Sequence, residues 1–249
     1  MLFRSQQVWG DRIAQGDLRK DYDALVFHTG IPGARDLDRA ARAGAQAKDN
    51  LAKLKKALPA FEDWSNLESR ATPLAADTAL PALKQFVADG GTLIALGGEC
   101  EKVIRHFALP IKVGTYVKDP KAEGGERKTQ REEFYIPGSL VALDVDLKHP
   151  LAAGMEAQPA AMFIASTPVF EVTGKGVDVV ASYRKSDTLV SGWAVGESFL
   201  AGKAAILSAS VGKGRIVLFG ADVTYRGQPV GTFKPLFQAI LQSAMQAPR

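Results

Sequence analysis

The sequence has little of what thiol and metal sites are built from. Its 249 residues include one cysteine, Cys100, and three histidines. A single cysteine excludes an internal disulfide and any site with several cysteine ligands. The histidines are dispersed, and no His-x-x-Glu or His-Glu-x-x-His pair occurs. We therefore predict neither a metal site nor a bound cofactor.

Long apolar runs and strong charge are also missing. No stretch is apolar enough to span a bilayer, and residues 1–12 lack the apolar core of a signal peptide. As written, the sequence predicts a chain that stays in the cytoplasm. The net charge is only +4, and basic residues are scattered without interleaved aromatics. We therefore predict no nucleic-acid and no membrane partner.

What is present is ordinary globular usage, with 46% hydrophobic and 23% charged residues. A chain of this length can bury a core of its own, and we predict one domain over residues 1–249.

Strand and helix patterns alternate through the first half of the chain. An apolar run at 23–27 ends at His28, and an amphipathic helix with a buried stripe is predicted from Asp36 to Leu58. A second helix around Leu83 and Phe86 precedes a continuous apolar run at 92–96, which is typical of a central parallel strand. The order predicts an α/β fold with a parallel sheet flanked by helices.

The second half is predicted to be richer in strands. Residues 112–131 are charged and predict an exposed, mobile loop, and a β-rich insertion is expected at 132–175. Residues 215–219 predict a second central strand. A final helix should bury one stripe, formed by Phe233, Leu236, Phe237, Ile240, Leu241, Ala244 and Met245.

The turn after the strand at 92–96 is a candidate ligand site. Ligands of open α/β sheets gather beyond the carboxyl ends of the strands, and a glycine-rich turn entering a helix exposes backbone N–H groups. Gly97 and Gly98 have this form, and Cys100 would lie in the first helical turn. A plain tight turn explains the same residues, and two neighbouring glutamates disfavour a thiolate at Cys100.

A cysteine nucleophile also needs a base, and none is tied to Cys100. His106 is six positions further along the same predicted helix, so its side chain points in a different direction. His149 precedes a proline and is interpreted as structural. His28 lies at the carboxyl end of a strand, but nothing in the sequence connects it to Cys100. The residues therefore do not support a catalytic triad.

Polar residues in predicted loops form a second group of candidates for ligand binding. Buried structural ion pairing is the alternative interpretation for them. The group consists of Glu133, Ser191, Trp193, Glu197, Arg226 and Gln228.

An ordered set of short motifs resembles one known family. The motifs are LKQFVADGGTLIALG at 83–97, EFYIPGS at 133–139, HPL at 149–151 with GM at 154–155, SGW at 191–193, LAGK at 200–203, GKGRIVLFG at 212–220, RGQ at 226–228 and GTFK at 231–234. Together they resemble the C-terminal class I glutamine amidotransferase-like domain of large bacterial zinc carboxypeptidase-like proteins, over residues 16–245. The resemblance implies a flavodoxin-like sheet, an exported parent protein and a carboxypeptidase-like domain as partner.

Two features depart from the amidotransferase pattern. Class I amidotransferases place cysteine directly after the central strand, where this chain has Gly97 and Gly98, and they carry a His-x-Glu pair where it has the sequence FGADV at 219–223. The family also opens with a strand and helix, whereas only residues 1–15 precede the matching segment here.

Three functional hypotheses follow. The first is a non-catalytic accessory domain that binds a small molecule or packs on a peptidase. The second is a small hydrolase that uses Cys100 or a loop carboxylate. The third is a sugar-binding or small-molecule sensor that uses Trp193, Glu197 and Arg226.

Overall fold

The computed structural model describes residues 5–31, 36–60, 74 and 76–245, without the side chains of 36–44, 47 and 76. The helices of this part of the chain are α1 (Gly10–Ala14), α2 (Leu18–Asp21), α3 (Asp36–Ala57), α4 (Ala76–Ala88), α5 (Glu99–His106) and α6 (Phe233–Met245). The strands are β1 (Ala24–Phe27), β2 (Thr92–Leu96), β3 (Ile111–Val113), β4 (Tyr116–Lys118), β5 (Glu126–Lys128), β6 (Gly138–Val145), β7 (Ala160–Ile164), β8 (Phe170–Val172), β9 (Val177–Tyr183), β10 (Leu189–Ser191), β11 (Ala204–Val211) and β12 (Gly214–Phe219).

Ten of these strands form one sheet. Its main path runs β1-β2-β12-β11-β9-β6-β10, with β7 beside β6, and with β8 beside β11 and β3. Only the pairs β1–β2 and β2–β12 are parallel, and the other pairings are antiparallel. The predicted α/β class is confirmed, but a parallel sheet describes only the part formed by β1, β2 and β12.

Strand β2 is buried on both faces, as its continuous apolar run predicts. Leu93 and Ala95 belong to the core cluster that contains α4 and α5, whereas Ile94 and Leu96 belong to the cluster that contains Ala239 of α6. Successive side chains of a strand point to opposite faces, so a strand covered on both sides must be apolar throughout. The prediction of β12 as a second central strand is also confirmed, since it pairs with β2 and β11.

The expected β-rich insertion at 132–175 is not separate from the main sheet. Strand β6 pairs with β9, and β8 pairs with β11, so both belong to the same sheet as β2. The predicted loop at 112–131 is also more regular than expected. It contains the hairpin β4–β5, whose base is held by a 2.5 Å hydrogen bond between the hydroxyls of Thr115 and Thr129. Charge composition indicated exposure there but not strand pairing.

The buried stripe predicted for α3 is wrong at the positions whose side chains are described. Leu54 and Leu58 are 47% and 54% exposed, and Leu51 is half-buried. The other predicted stripe positions lie outside the described side chains.

Helix α6 buries only part of its predicted stripe, since Leu236 and Ile240 pack against the core but two other members do not. Phe237 and Met245 are 63% and 70% exposed, while Pro235, Ala239 and Ser243 are buried. These smaller side chains allow the helix to approach the sheet closely, which a count of apolar residues does not capture.

The turn between β11 and β12 packs directly on the end of α4. A Cβ atom on Gly214 would lie 2.2 Å from the carbonyl oxygen of Val87, so only glycine fits. The backbone N–H of Lys213 donates to Ala88 O (3.2 Å), and that of Arg215 donates to Gly91 O (3.2 Å). Backbone contact therefore joins the hairpin to the helix.

Candidate functional site

The three parallel strands end at the same edge of the sheet, and a cleft of about 230 Å³ lies there. His28 follows β1, Gly97 follows β2 and Gly220 follows β12. The end of β7 supplies the remaining wall. The residues lining the cleft are His28, Leu96, Gly97, Gly98, Ile164, Ser166, Thr167, Gly220 and Asp222. The edge predicted to bind ligands therefore carries a cleft with polar groups.

The Gly97–Gly98 turn forms the open wall of the cleft. Gly97 has φ +55°, a conformation that favours glycine, and its N–H donates to Phe219 O (2.8 Å). The N–H of Cys100 then donates to Gly97 O (3.1 Å) and begins α5. A Cβ atom on Gly98 would meet nothing within 4 Å. Gly98 has no side chain, so this wall is open. No neighbouring atom requires glycine at this position.

The opposite wall is closely packed. A Cβ atom on Gly220 would lie 2.6 Å from Pro168 O, so this position requires glycine. Thr167 and Ile164 bond to each other twice, since Ile164 N–H donates to Thr167 Oγ1 (2.9 Å) and Thr167 N–H donates to Ile164 O (2.8 Å). This pair of hydrogen bonds fixes the turn that presents Ser166.

Asp222 supplies the carboxylate of the cleft. Its N–H donates to Met162 O (3.2 Å), which attaches the loop after β12 to β7, and its Oδ1 accepts from Thr224 N–H (3.2 Å). The side chain is partly buried. Asp222 is not among the residues predicted from the sequence, where the segment 219–223 stands only as a departure from the His-x-Glu pattern. The strand-end rule, applied to β12, is the signal that could have found it.

Glu99 fixes the segment that follows His28. Its buried carboxylate accepts from Ile31 N–H (2.7 Å) and from Lys102 Nζ (2.8 Å). The glutamate therefore couples the start of α5 to the chain leaving β1, and it holds two walls of the cleft together.

The structure argues against Cys100 as a nucleophile. Its side chain is fully buried, and Sγ lies 3.2 Å from Ala95 O and 3.4 Å from Phe219 O. Burial raises the pKa of the Cys100 thiol, and the negative charge of Glu99 raises it further. A thiol of this kind stays protonated and out of reach of a substrate.

Glu133 forms an ion pair that holds the β4–β5 hairpin to the following turn. Its two carboxylate oxygens each lie 2.7 Å from the guanidinium of Arg127, and one also accepts from Gln130 N–H (2.8 Å). These bonds, first of all those from Arg127, lower the pKa of Glu133 to about 2. The pairing interpretation therefore explains Glu133.

Ser191 is the last residue of β10, and Trp193 lies in the exposed turn that follows it. The N–H of Trp193 donates to Ser139 Oγ (2.9 Å), and this hydroxyl donates to Trp193 O (2.7 Å). The indole is 55% exposed and meets the ring of Tyr135 edge to face, with centroids 6.1 Å apart. Glu197 is engaged elsewhere, because it accepts from Leu189 N–H (3.0 Å).

Arg226 and Gln228 lie in the loop before α6. Arg226 has φ +50°, and its guanidinium lies 5.0 Å from the centroid of the Tyr225 ring. Gln228 lines a second, larger cavity. Of the residues that the sequence predicts to bind a ligand, Gly97 and Gly98 line the smaller cleft. Trp193, Glu197 and Arg226 line neither of these two cavities.

The histidines have separate environments. His149 begins a short 3-10 turn by accepting Leu151 N–H at Nδ1 (3.1 Å), which confirms its structural role. Burial lowers the pKa of His149. His28 lines the cleft. Among the described residues, no three His, Cys, Asp or Glu side chains gather as a metal site would require, and none of their helices could cross a membrane.

No family model and no curated protein matches this chain. Solved structures do resemble it. A cytoplasmic protein from Salmonella typhimurium is 13% identical, with 95% of this chain and 78% of that chain covered and a TM-score of 0.45. A GMP synthase subunit from Thermoplasma acidophilum is 8% identical over 67% of this chain and 65% of that one, with a TM-score of 0.42.

Two further structures give similar values. A ThuA-like protein from Bacteroides uniformis is 14% identical, with 65% and 62% covered and a TM-score of 0.35. This chain spans only 21% of a Bacillus circulans β-galactosidase to which it is 12% identical, with a TM-score of 0.40. Likeness at these levels establishes no function for this chain, whose mixed α/β fold follows from its own strand pairing.

Proposed function

We propose that this chain is a non-catalytic binding domain of the class I amidotransferase-like type, and that it holds a small polar ligand in the cleft where β1, β2 and β12 end. The observation that carries the proposal is the composition of that cleft. His28, Ser166 and Asp222 offer a ring nitrogen, a hydroxyl and a carboxylate, and the glycine turns let a ligand approach the backbone. Convergent polar groups in a cleft at strand ends are typical of a binding site.

The proposal includes no thiol catalysis, for reasons found at two positions of the chain. Gly97 stands where an amidotransferase has its cysteine, and Cys100 is buried among the carbonyls of Ala95 and Phe219. Ammonia release from glutamine needs an accessible thiolate, which burial opposes at Cys100. Binding alone has no such requirement.

The test uses Gly98→Ala. Gly98 has φ −61°, and a methyl group there would meet no neighbour, so the variant should fold normally while occupying part of the cleft. The ligand is sought by thermal shift with monosaccharides, small carboxylic acids and phosphate esters, because binding to the native state raises the unfolding midpoint. The hit is then titrated by calorimetry into both proteins.

We expect Gly98→Ala to weaken binding of the hit about tenfold or more, which corresponds to about 1.4 kcal/mol. Gly138→Ala is the matched control, because Gly138 also has open space around it but lies outside the cleft. Equal affinity of wild type and Gly98→Ala would place the ligand elsewhere and contradict the proposal. So would the absence of any midpoint increase across the three ligand classes.

An accessory role beside a zinc carboxypeptidase-like protein is the finer part of the proposal. It is supported by the ordered motifs, from the segment at 83–97 to the one at 231–234. Sequencing the DNA and transcript upstream of the Met1 codon tests it. An in-frame zinc domain with a His-x-x-Glu pair would support the association, and a stop codon directly upstream would contradict a covalent one.

A hydrolase that uses a loop carboxylate is the second candidate. The observation in its favour is that Asp222 and His28, a carboxylate and an imidazole, line one cleft. Hydrolysis of p-nitrophenyl esters by wild type, with loss in Asp222→Asn and retention in Cys100→Ala, would establish this alternative. Equal rates in wild type and Asp222→Asn would remove it.

A further inference from the structure

A second cavity, of about 430 Å³, lies between the β6–β7 pair and the loop that precedes α6. Leu140 and Met162 are directly paired across β6 and β7, so their side chains lie on the same face, and both line the cavity. Val230, 64% exposed, lines it from the loop. Its volume lies within the roughly 300–1,000 Å³ of small-ligand pockets.

The cavity is mostly apolar, but it also carries one group of each charge. Glu156 and Lys234 are the two lining residues that are charged at neutral pH. Lys234 Nζ donates to the backbone carbonyl of Gly154, two residues before Glu156 in the chain. An ammonium has three N–H donors, and this bond uses one of them.

We propose that this cavity binds a free α-amino acid with an apolar side chain. Glu156 receives the α-ammonium, Lys234 receives the α-carboxylate, and the apolar side chain packs on Leu140, Met162 and Val230. A ligand with one charge would leave either Glu156 or Lys234 without a counterion. A wholly apolar ligand would use neither. The zwitterion with an apolar body matches both charged side chains and the apolar residues of the lining.

This site is separate from the cleft of the proposed function, although both use β7 and the loop between β12 and α6. Ala160 and Met162 line the cavity, whereas Ile164 and Ser166 line the cleft. Variants at Ala160 and at Gly98 therefore distinguish the two sites. Failure of amino-acid binding would leave the cleft proposal intact, and the reverse also holds.

The experiment titrates phenylalanine, leucine and glycine into the full chain by calorimetry, together with phenylalanine amide and N-acetylphenylalanine. We expect phenylalanine and leucine to bind at least tenfold more tightly than glycine, which lacks the apolar body. The amide lacks the carboxylate and the acetylated compound lacks the ammonium, so each should bind at least tenfold more weakly than phenylalanine. Tight binding of the acetylated compound would instead indicate the C-terminus of a peptide and overturn the proposal.

Three variants locate the site. Ala160→Leu fills the cavity and should abolish phenylalanine binding. Lys234 lies on the exposed side of α6, and Lys234→Met should bind phenylalanine less than threefold more tightly than phenylalanine amide. Glu156→Gln should bind phenylalanine less than threefold more tightly than N-acetylphenylalanine. Gly98→Ala should leave phenylalanine binding unchanged.

The absence of binding heat at millimolar phenylalanine and leucine would overturn the proposal. Equal affinities for phenylalanine in wild type and Lys234→Met would also overturn it. Thermal midpoints of all the variants show which are folded. If Ala160→Leu does not fold, Lys234→Met and Glu156→Gln still test the proposal.

Discussion

Helices α3 and α4 both have amphipathic sequences, but they differ in how they pack. In α4 the side chains of Leu83, Phe86 and Val87 are at most 1% exposed. In the described part of α3, Leu54 is 47% exposed. The same 3.6-residue period therefore accompanies buried apolar side chains in α4 and an exposed leucine in the described part of α3.

The difference lies in the partners. Helix α4 contacts α1, α2, β2 and β12, and its apolar residues share a core cluster with Leu93 of β2. Two polar contacts of α3 lie within the helix itself. Lys53 pairs with Asp49 (2.7 Å) and Gln46 with Asn50 (3.1 Å), both one turn apart. Such pairs contribute only about 0.2–0.5 kcal/mol each, so periodicity predicts a helix but not what covers it.

The largest effect should come from Phe86→Ala. Phe86 is 1% exposed, and removing a buried phenylalanine ring costs about 3–5 kcal/mol through lost burial and the remaining cavity. Urea unfolding of wild type and variant measures the loss. A change below about 1 kcal/mol would mean that the burial of α4 contributes little, and the contrast with α3 would fail.

Gly91→Ala should have the next largest effect. A Cβ atom there would lie 2.4 Å from the Phe86 ring, and overpacking of a filled core costs about 1–3 kcal/mol. In a Phe86→Ala background the added methyl group should cost almost nothing, because the ring it meets is gone. Additive losses in the double variant would show that the strain arises elsewhere.

Pro81→Ala should stabilise the protein. Pro81 lies inside α4, where proline lacks the N–H of a helical hydrogen bond, and it is exposed. We expect the free energy of unfolding to rise by about 1–2 kcal/mol. Proline costs about 3 kcal/mol inside a helix, but it also restricts the unfolded chain, and the variant loses that stabilising restriction. Thermal unfolding of Pro81→Ala beside Lys84→Ala, an exposed control on the same helix, measures it. A lower midpoint than the control would contradict this account.

Leu54→Ser on α3 should have the smallest effect, within about 0.5 kcal/mol, because an exposed side chain loses little burial. The measurement is the same urea unfolding as for Phe86→Ala. A loss above about 2 kcal/mol would indicate that α3 packs its leucines in solution and would remove the distinction between the two helices.

The parallel part of the sheet could be predicted from the sequence because its signals are local. Strands β2 and β12 contain continuous apolar runs, at 93–96 and 216–219, and Gly97 marks the end of β2. The antiparallel part could not be assembled in the same way. The two-residue period that marks a strand does not name its neighbour, so the pairings β6–β9 and β8–β11 do not follow from it.

The residues that line the cleft also divide into those that local sequence signals could place and those that they could not. Gly97, Gly98 and His28 could be placed at the sheet edge because each directly follows a predicted strand. Ser166 reaches the cleft only because β7 pairs antiparallel with β6, which no local pattern indicates. The loop residues predicted to bind a ligand do not line the cleft, and the reason is different. A polar side chain in a loop serves a hydrogen-bonded turn as readily as a ligand, as Glu133 and Glu197 do here.

The contact between the β11–β12 turn and the end of α4 has a consequence for amide hydrogen exchange. The N–H of Lys213 is bonded to Ala88 O at the end of α4, and the N–H of Arg215 is bonded to Gly91 O, which directly precedes β2. No side chain fits at Gly214 between them. Neither the turn nor the helix end can open alone without breaking these bonds. We therefore expect the amides of Lys213 and Arg215 to exchange with one common opening free energy, as a single cooperative unit.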